Sequence, residues 1–145
     1  TGLSFNDRSG DRLRDWMGVD RNTFYDETRV AIMPMGLCYP GRNPKGGDLP
    51  PRKECAPLWQ PRIRPLFKNV ALTLLIGSYA VTHYLKDRRK RTLNETVAAW
   101  RDYGPDIMPL PHPSWRNTGW LKANPWFENE LVPVLRARVK ELLKA

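Results

Sequence analysis

Four chemically useful side chains fall in one stiff loop, His112-Pro113-Ser114-Trp115-Arg116-Asn117. Pro111 and Pro113 flank the imidazole, and because proline fixes its own φ, the backbone holds His112 in place. An imidazole fixed in this way suits donation of a hydrogen bond to negative charge developing on a leaving group. The Ser114 hydroxyl with a nearby amide suits a phosphate. Trp115 and Arg116, at a loop tip, suit insertion into a base stack. The same residues also have plainer uses, His112 as the cap of a strand and Trp115 as core. The clustering of all of them in a single loop favours the chemical reading.

The 145-residue chain carries a net charge of +9, which calls for a polyanionic partner, nucleic acid before an anionic membrane. A solvated basic surface is the alternative. The run Lys86 to Arg91 (KDRRKR) reads as a basic loop that adds phosphate attraction. A hydrophobic fraction of 41% and six tryptophans argue for one folded domain with a real core. No apolar run approaches the roughly 20 residues of a membrane span; the longest is Val70 to Gly77. Two cysteines cannot build a secreted disulfide framework, so a cytoplasmic location is expected; a monomer is the separate expectation for its assembly. The start Thr-Gly-Leu-Ser-Phe has neither the basic nor the apolar region of a signal peptide, and its lack of a methionine suggests an upstream part.

The elements that must position the loop follow from pattern. Asp7 to Gly18 reads as loop then helix, with Ser9 as a cap, Leu13, Trp16 and Met17 as the apolar stripe and Gly18 as the stop. Val30 to Met33 reads as a short buried strand ended by Pro34. Met35 to Pro57 is a long loop rich in proline and glycine, and Pro57 to Phe67 an irregular helix containing Pro61 and Pro65. Val70 to Ile76 has the uniform apolarity of a central parallel strand, followed by a turn at Gly77-Ser78 and a helix from Tyr79 to Leu85. Thr92-Leu93-Asn94-Glu95 is a capping box. Ile107 to Leu110 is a further strand leading into the His112 loop. Pro125 to Leu143 is a long helix with Phe127, Leu131, Val134, Leu135, Val139 and Leu142 as its apolar positions. Trp59, Trp100 and Trp126 are expected in the core, and Asp102 and Asp106 at the surface. Alternating strands and helices give an α/β fold with a mainly parallel sheet, and ligands in such sheets sit beyond the C-terminal strand ends.

The string Gly2-Leu3-Ser4-Phe5 with Arg8-Ser9, then LLIGSYA (Leu74 to Ala80), then HPS (His112 to Ser114) resembles the uracil-DNA glycosylase superfamily over nearly the whole chain. HPSWRN with Gly119-Trp120 is similar to its single-strand-selective branch. The resemblance implies a three-layer α/β/α sandwich with a four-stranded, mainly parallel sheet, its first strand preceding this chain. It implies hydrolysis of the N-glycosidic bond of uracil or another deaminated base in DNA. Phe5 matches the aromatic that stacks on the extruded base, and His112 the residue that stabilises the departing base anion. Ser9, Ser78 and Ser114 match serines that grip backbone phosphates. Arg116, with Trp115 beside it, occupies the place of the wedge that fills the vacated stack.

Two departures follow. Pro34 stands where the superfamily usually has a base-reading asparagine, and the first motif, with its water-positioning residue, would lie before Thr1. Cys38 and Cys55 are separated by sixteen residues of proline-rich loop, similar to the iron–sulfur branch. They imply two of the four thiolates of a [4Fe-4S] cluster, the other two expected upstream; the alternative is a pair of reduced thiols. A non-catalytic nucleic-acid-binding module of the same fold is the rival functional reading, and a redox or structural protein built on a cluster a third.

Overall fold

The computed structural model describes residues 3–37, 40–47 and 49–144. Two parallel strands, β1 (Thr73–Ile76) and β2 (Ile107–Leu110), pair in the register Thr73↔Ile107 to Ile76↔Leu110. Helices cover both faces, as an α/β fold requires. Leu74, Ile76, Met108 and Leu110 face one core together with α1 (Arg8–Met17) and α7 (Val132–Leu143). Leu75 and Ile107 face the other, with α4 (Gly77–Leu85). Between these lie α2 (Arg21–Phe24), α3 (Cys55–Ile63), α5 (Leu93–Ala98) and α6 (Thr118–Ala123). Among the described residues, β2 has a neighbour on one side only, which tolerates Pro109 and its missing N–H.

Val30 to Met33, expected as a strand, runs as irregular chain. Among the described residues no strand lies beside it to complete a ladder, although Ile32 still packs on the larger core. Of the four-stranded sheet expected, the described residues form two strands. Asp7, not Ser9, caps α1: its backbone is extended and its carboxylate accepts from the Gly10 N–H at 3.1 Å. Gly18, at φ 70°, closes that helix in the left-handed conformation. Pro133 has no N–H to continue the helical ladder, and the chain before α7 widens into a π-type turn over Phe127–Leu131. The buried stripe is accordingly Phe127, Leu131, Leu135 and Val139, and Val134, expected inside, is 43% exposed. Trp100 is buried as expected and Trp126 packs against the core, but Trp59 is 38% exposed under the Arg62 guanidinium.

A buried polar side chain ties α3 into the fold. Gln60, on α3 and only 2% exposed, donates from Nε2 to the Pro34 carbonyl at 2.9 Å and accepts at Oε1 from the Tyr84 hydroxyl. Both ends of one buried amide are therefore used, tying α3 and α4 to the segment after Val30–Met33. Replacing Gln60 with Ala strands both partners, at about 1–3 kcal/mol for each buried group left unpaired. Urea unfolding should show a lower midpoint with an unchanged m-value. A Gln60→Ala midpoint equal to that of the parent protein would show that this link contributes nothing.

Candidate active site

The C-terminal ends of β1 and β2 bring Gly77 and His112 side by side. A Cβ built on Gly77 would lie 3.8 Å from the His112 Cβ, and the φ of 85° at Gly77 favours glycine. This glycine lets α4 begin directly at the strand end and places Ser78, exposed, at its first turn. His112 is fixed by its own loop. Asn117 Nδ2 donates to the His112 carbonyl at 2.7 Å, and Arg12 from α1 donates to the Ser114 carbonyl and the Thr118 hydroxyl, both at 3.1 Å.

The imidazole itself is addressed by the Ser114 N–H, which donates to Nδ1 at 3.1 Å. A backbone amide can only donate, so Nδ1 is the bare nitrogen and the neutral ring carries its proton on Nε2. The ring keeps an open edge to solvent while protein crowds its other sides. That desolvation holds its pKa below the usual 6.5, opposed in part by the negative charge of Asp7. Asp7 is held ionised below the ordinary carboxylate range, first by the Ser9 hydroxyl, which donates to it at 2.5 Å, and then by backbone amides.

Facing His112, the Phe5 ring lies with its centroid 6.2 Å away and tilted by 33°. Phe5 sits at φ 59°, a left-handed conformation that costs a non-glycine residue about 1–2 kcal/mol. The surroundings over-determine it. Gly10 packs so closely that a Cβ there would lie 1.7 Å from the Phe5 carbonyl oxygen. Arg14, buried on α1, donates to the same oxygen at 3.2 Å, pairs with Asp11 at 2.8 Å, and lies over Phe24. The Tyr25 hydroxyl donates to the Ser4 carbonyl at 2.7 Å, and the edge of Phe24 meets the Phe5 ring. A strained residue held from several sides is the usual signature of a preorganised site.

The site residues expected from sequence thus fall into groups. His112 lies beside Phe5 on one hand and accepts from Ser114 on the other; Ser78 adjoins it through Gly77, and Ser9 bonds Asp7, whose charge acts on the imidazole. Trp115 projects outward, 69% exposed, with the Arg116 guanidinium 5.9 Å from its ring centre. Arg116 also approaches the long loop, where a Cβ on Gly47 would lie 3.2 Å from its guanidinium nitrogen. That loop folds back on itself, Asn43 N–H to Gly47 carbonyl and Leu49 N–H to Gly41 carbonyl, both 2.8 Å. Cys55 is a buried free thiol at the first residue of α3, and Cys38 lies outside the described residues. Among the described residues no three His, Cys, Asp or Glu side chains gather as metal ligands.

Asp7, Gly10, Arg12, Arg14 and Asn117 were not singled out by sequence reasoning. Only Gly10, a lone glycine in a helical pattern, carries a signal of close backbone approach. Among the described residues no helix is long and apolar enough to cross a membrane. The family model described as the uracil DNA glycosylase superfamily matches residues 1–136.

Proposed function

Since the chain belongs to the uracil-DNA glycosylase superfamily, we propose that it hydrolyses the N-glycosidic bond of uracil or another deaminated base in DNA. The observation that carries this reading is the Ser114 N–H on His112 Nδ1, which leaves Nε2–H as the donor of a ring that lies beside Phe5. Water adds at the sugar C1′ and releases a proton to solvent while the bond to the base breaks, and the bonding pair leaves with the base as an anion. Nε2–H donates to the carbonyl oxygen on which that charge gathers, and a neutral donor does so without first giving up its proton. Phe5 stacks on the extruded base. Ser78 and Ser114 grip phosphates beside it, and the DNA's own phosphates favour the oxocarbenium-like sugar. No step of this chemistry passes through an iron–sulfur cluster.

Oligonucleotides carrying uracil, hypoxanthine or xanthine, incubated with the protein and then treated with alkali, should break at the damaged position. Binding without breakage on all three would instead favour a non-catalytic module. The observation behind that second reading is Pro34, which offers no side-chain donor and whose carbonyl is already taken by Gln60.

The proposed wedge has its own test. Arg116 stands exposed beside Trp115, where it can fill the space left by an extruded base, so it matters most when stacking must be broken. Arg116→Ala should lower single-turnover cleavage about tenfold on paired duplex, which is roughly 1.4 kcal/mol. It should have little effect on a mismatched or single-stranded target. Equal losses on all three substrates would remove Arg116 from this role.

A further inference from the structure

Beside the cleft, behind Ser78, lies a hollow of about 190 Å3 between α4 and the basic run that leads into α5. Taking the DNA-binding reading as given, we propose that this hollow seats a second backbone phosphate of the DNA strand, bound by Arg89 together with the hydroxyl of Thr82, next to the phosphate that Ser78 grips at the cleft. Ser78 and Thr82 both line it, four residues apart on one face of α4, which spaces them by about 6 Å along the helix. Among the described residues neither hydroxyl has a hydrogen-bond partner within the protein.

The opposite wall is built rather than loose. Thr96, buried on α5, accepts from the Lys90 N–H at 3.0 Å and donates to the Thr92 carbonyl at 2.8 Å, which pins the basic run over the hollow. Neighbouring cations are already engaged: Lys90 with Asp102 at 3.6 Å, Arg91 with Glu95 at 3.4 Å, and Arg88 over the Tyr103 ring at 5.8 Å. Arg89 lines the hollow, and among the described residues it forms no ion pair and no ring contact. A guanidinium without a carboxylate, sharing the hollow with the partnerless Thr82 hydroxyl, matches a phosphate that presents several acceptor oxygens. Ser78 follows Gly77, which touches His112, so a strand lying along α4 meets the proposed catalytic group and then the hollow.

Neutral methylphosphonates, introduced one position at a time into a uracil-containing oligonucleotide, test this through coupling. The parent protein should lose about tenfold in affinity at one particular position away from the extruded nucleotide. Arg89→Gln, an exposed substitution, should lose about tenfold on unmodified DNA and nothing further at that position. Its log–log salt slope should become shallower by about 0.9, one phosphate's worth. Thr82→Val should show the same positional blindness, whereas Arg88→Gln, outside the hollow, should keep the parent's pattern. DNA bound by Arg89→Gln with the parent's loss at every position would overturn the phosphate seat while leaving the glycosylase reading intact. No DNA binding by the parent protein at low salt would overturn both.

Discussion

His112→Ala should lower single-turnover base excision by about 10²–10³ while leaving DNA affinity close to that of the parent protein. The asymmetry follows from the role proposed for the imidazole. Its Nδ1 is taken by the Ser114 amide, and in the proposed reaction its remaining donor meets charge that exists only once the glycosidic bond is breaking. The same geometry fixes a pH dependence. Protonating the ring would put a hydrogen on Nδ1 facing the Ser114 N–H, and desolvation already disfavours that charge, holding the pKa below 6.5. The neutral ring therefore persists above that depressed value, and excision should fall as pH drops through it. A single-turnover profile whose acid limb is unchanged in His112→Ala would show that the limb belongs to another group.

Gly10→Ala should reduce the excision rate by about a hundredfold, although the substitution lies in a helix and adds one methyl group. Alanine is the better helix former, so α1 itself has no reason to suffer. The new Cβ, however, would stand 1.7 Å from the Phe5 carbonyl oxygen, and backbone must move by more than about 1 Å to admit it. A displacement of that size at a positioning residue costs on the order of 10² in rate. Gly119→Ala, with nothing within 4 Å of the new atom, is the matched control and should keep the parent rate. Near-parent excision by Gly10→Ala would mean that the placement of Phe5 does not govern the reaction.

Local pattern made part of this fold legible. Ile107–Leu110 is a strand with the expected bounds, α1 stops at Gly18, and Thr92 caps α5 by accepting from the Glu95 N–H. The two caps depend on residues within a few positions of one another, and the strand has β1 beside it to complete its ladder. The segment Val30–Met33 was not settled by its own apolarity, because a strand exists only where a neighbour completes its ladder. Val134 was misplaced because Pro133 widens the preceding turn and shifts the helical register. In the site, the His112 loop was legible because its prolines and serine are adjacent in the chain. Its supports were not: Arg12 reaches Ser114 across 102 positions, and Gln60 reaches Pro34 across 26. Long polar side chains such as Arg14 read as surface in any pattern, and only the carbonyl it meets explains why it is buried.

Chromatography of the base itself tests the central claim most directly. Duplexes labelled in a single uracil, hypoxanthine or xanthine would be incubated with the protein, and the free base and abasic sites counted separately. If His112 stabilises a departing base anion, at least one substrate releases free base in a one-to-one ratio with abasic sites, and His112→Ala slows both together. DNA that is bound while every base stays attached would contradict the account.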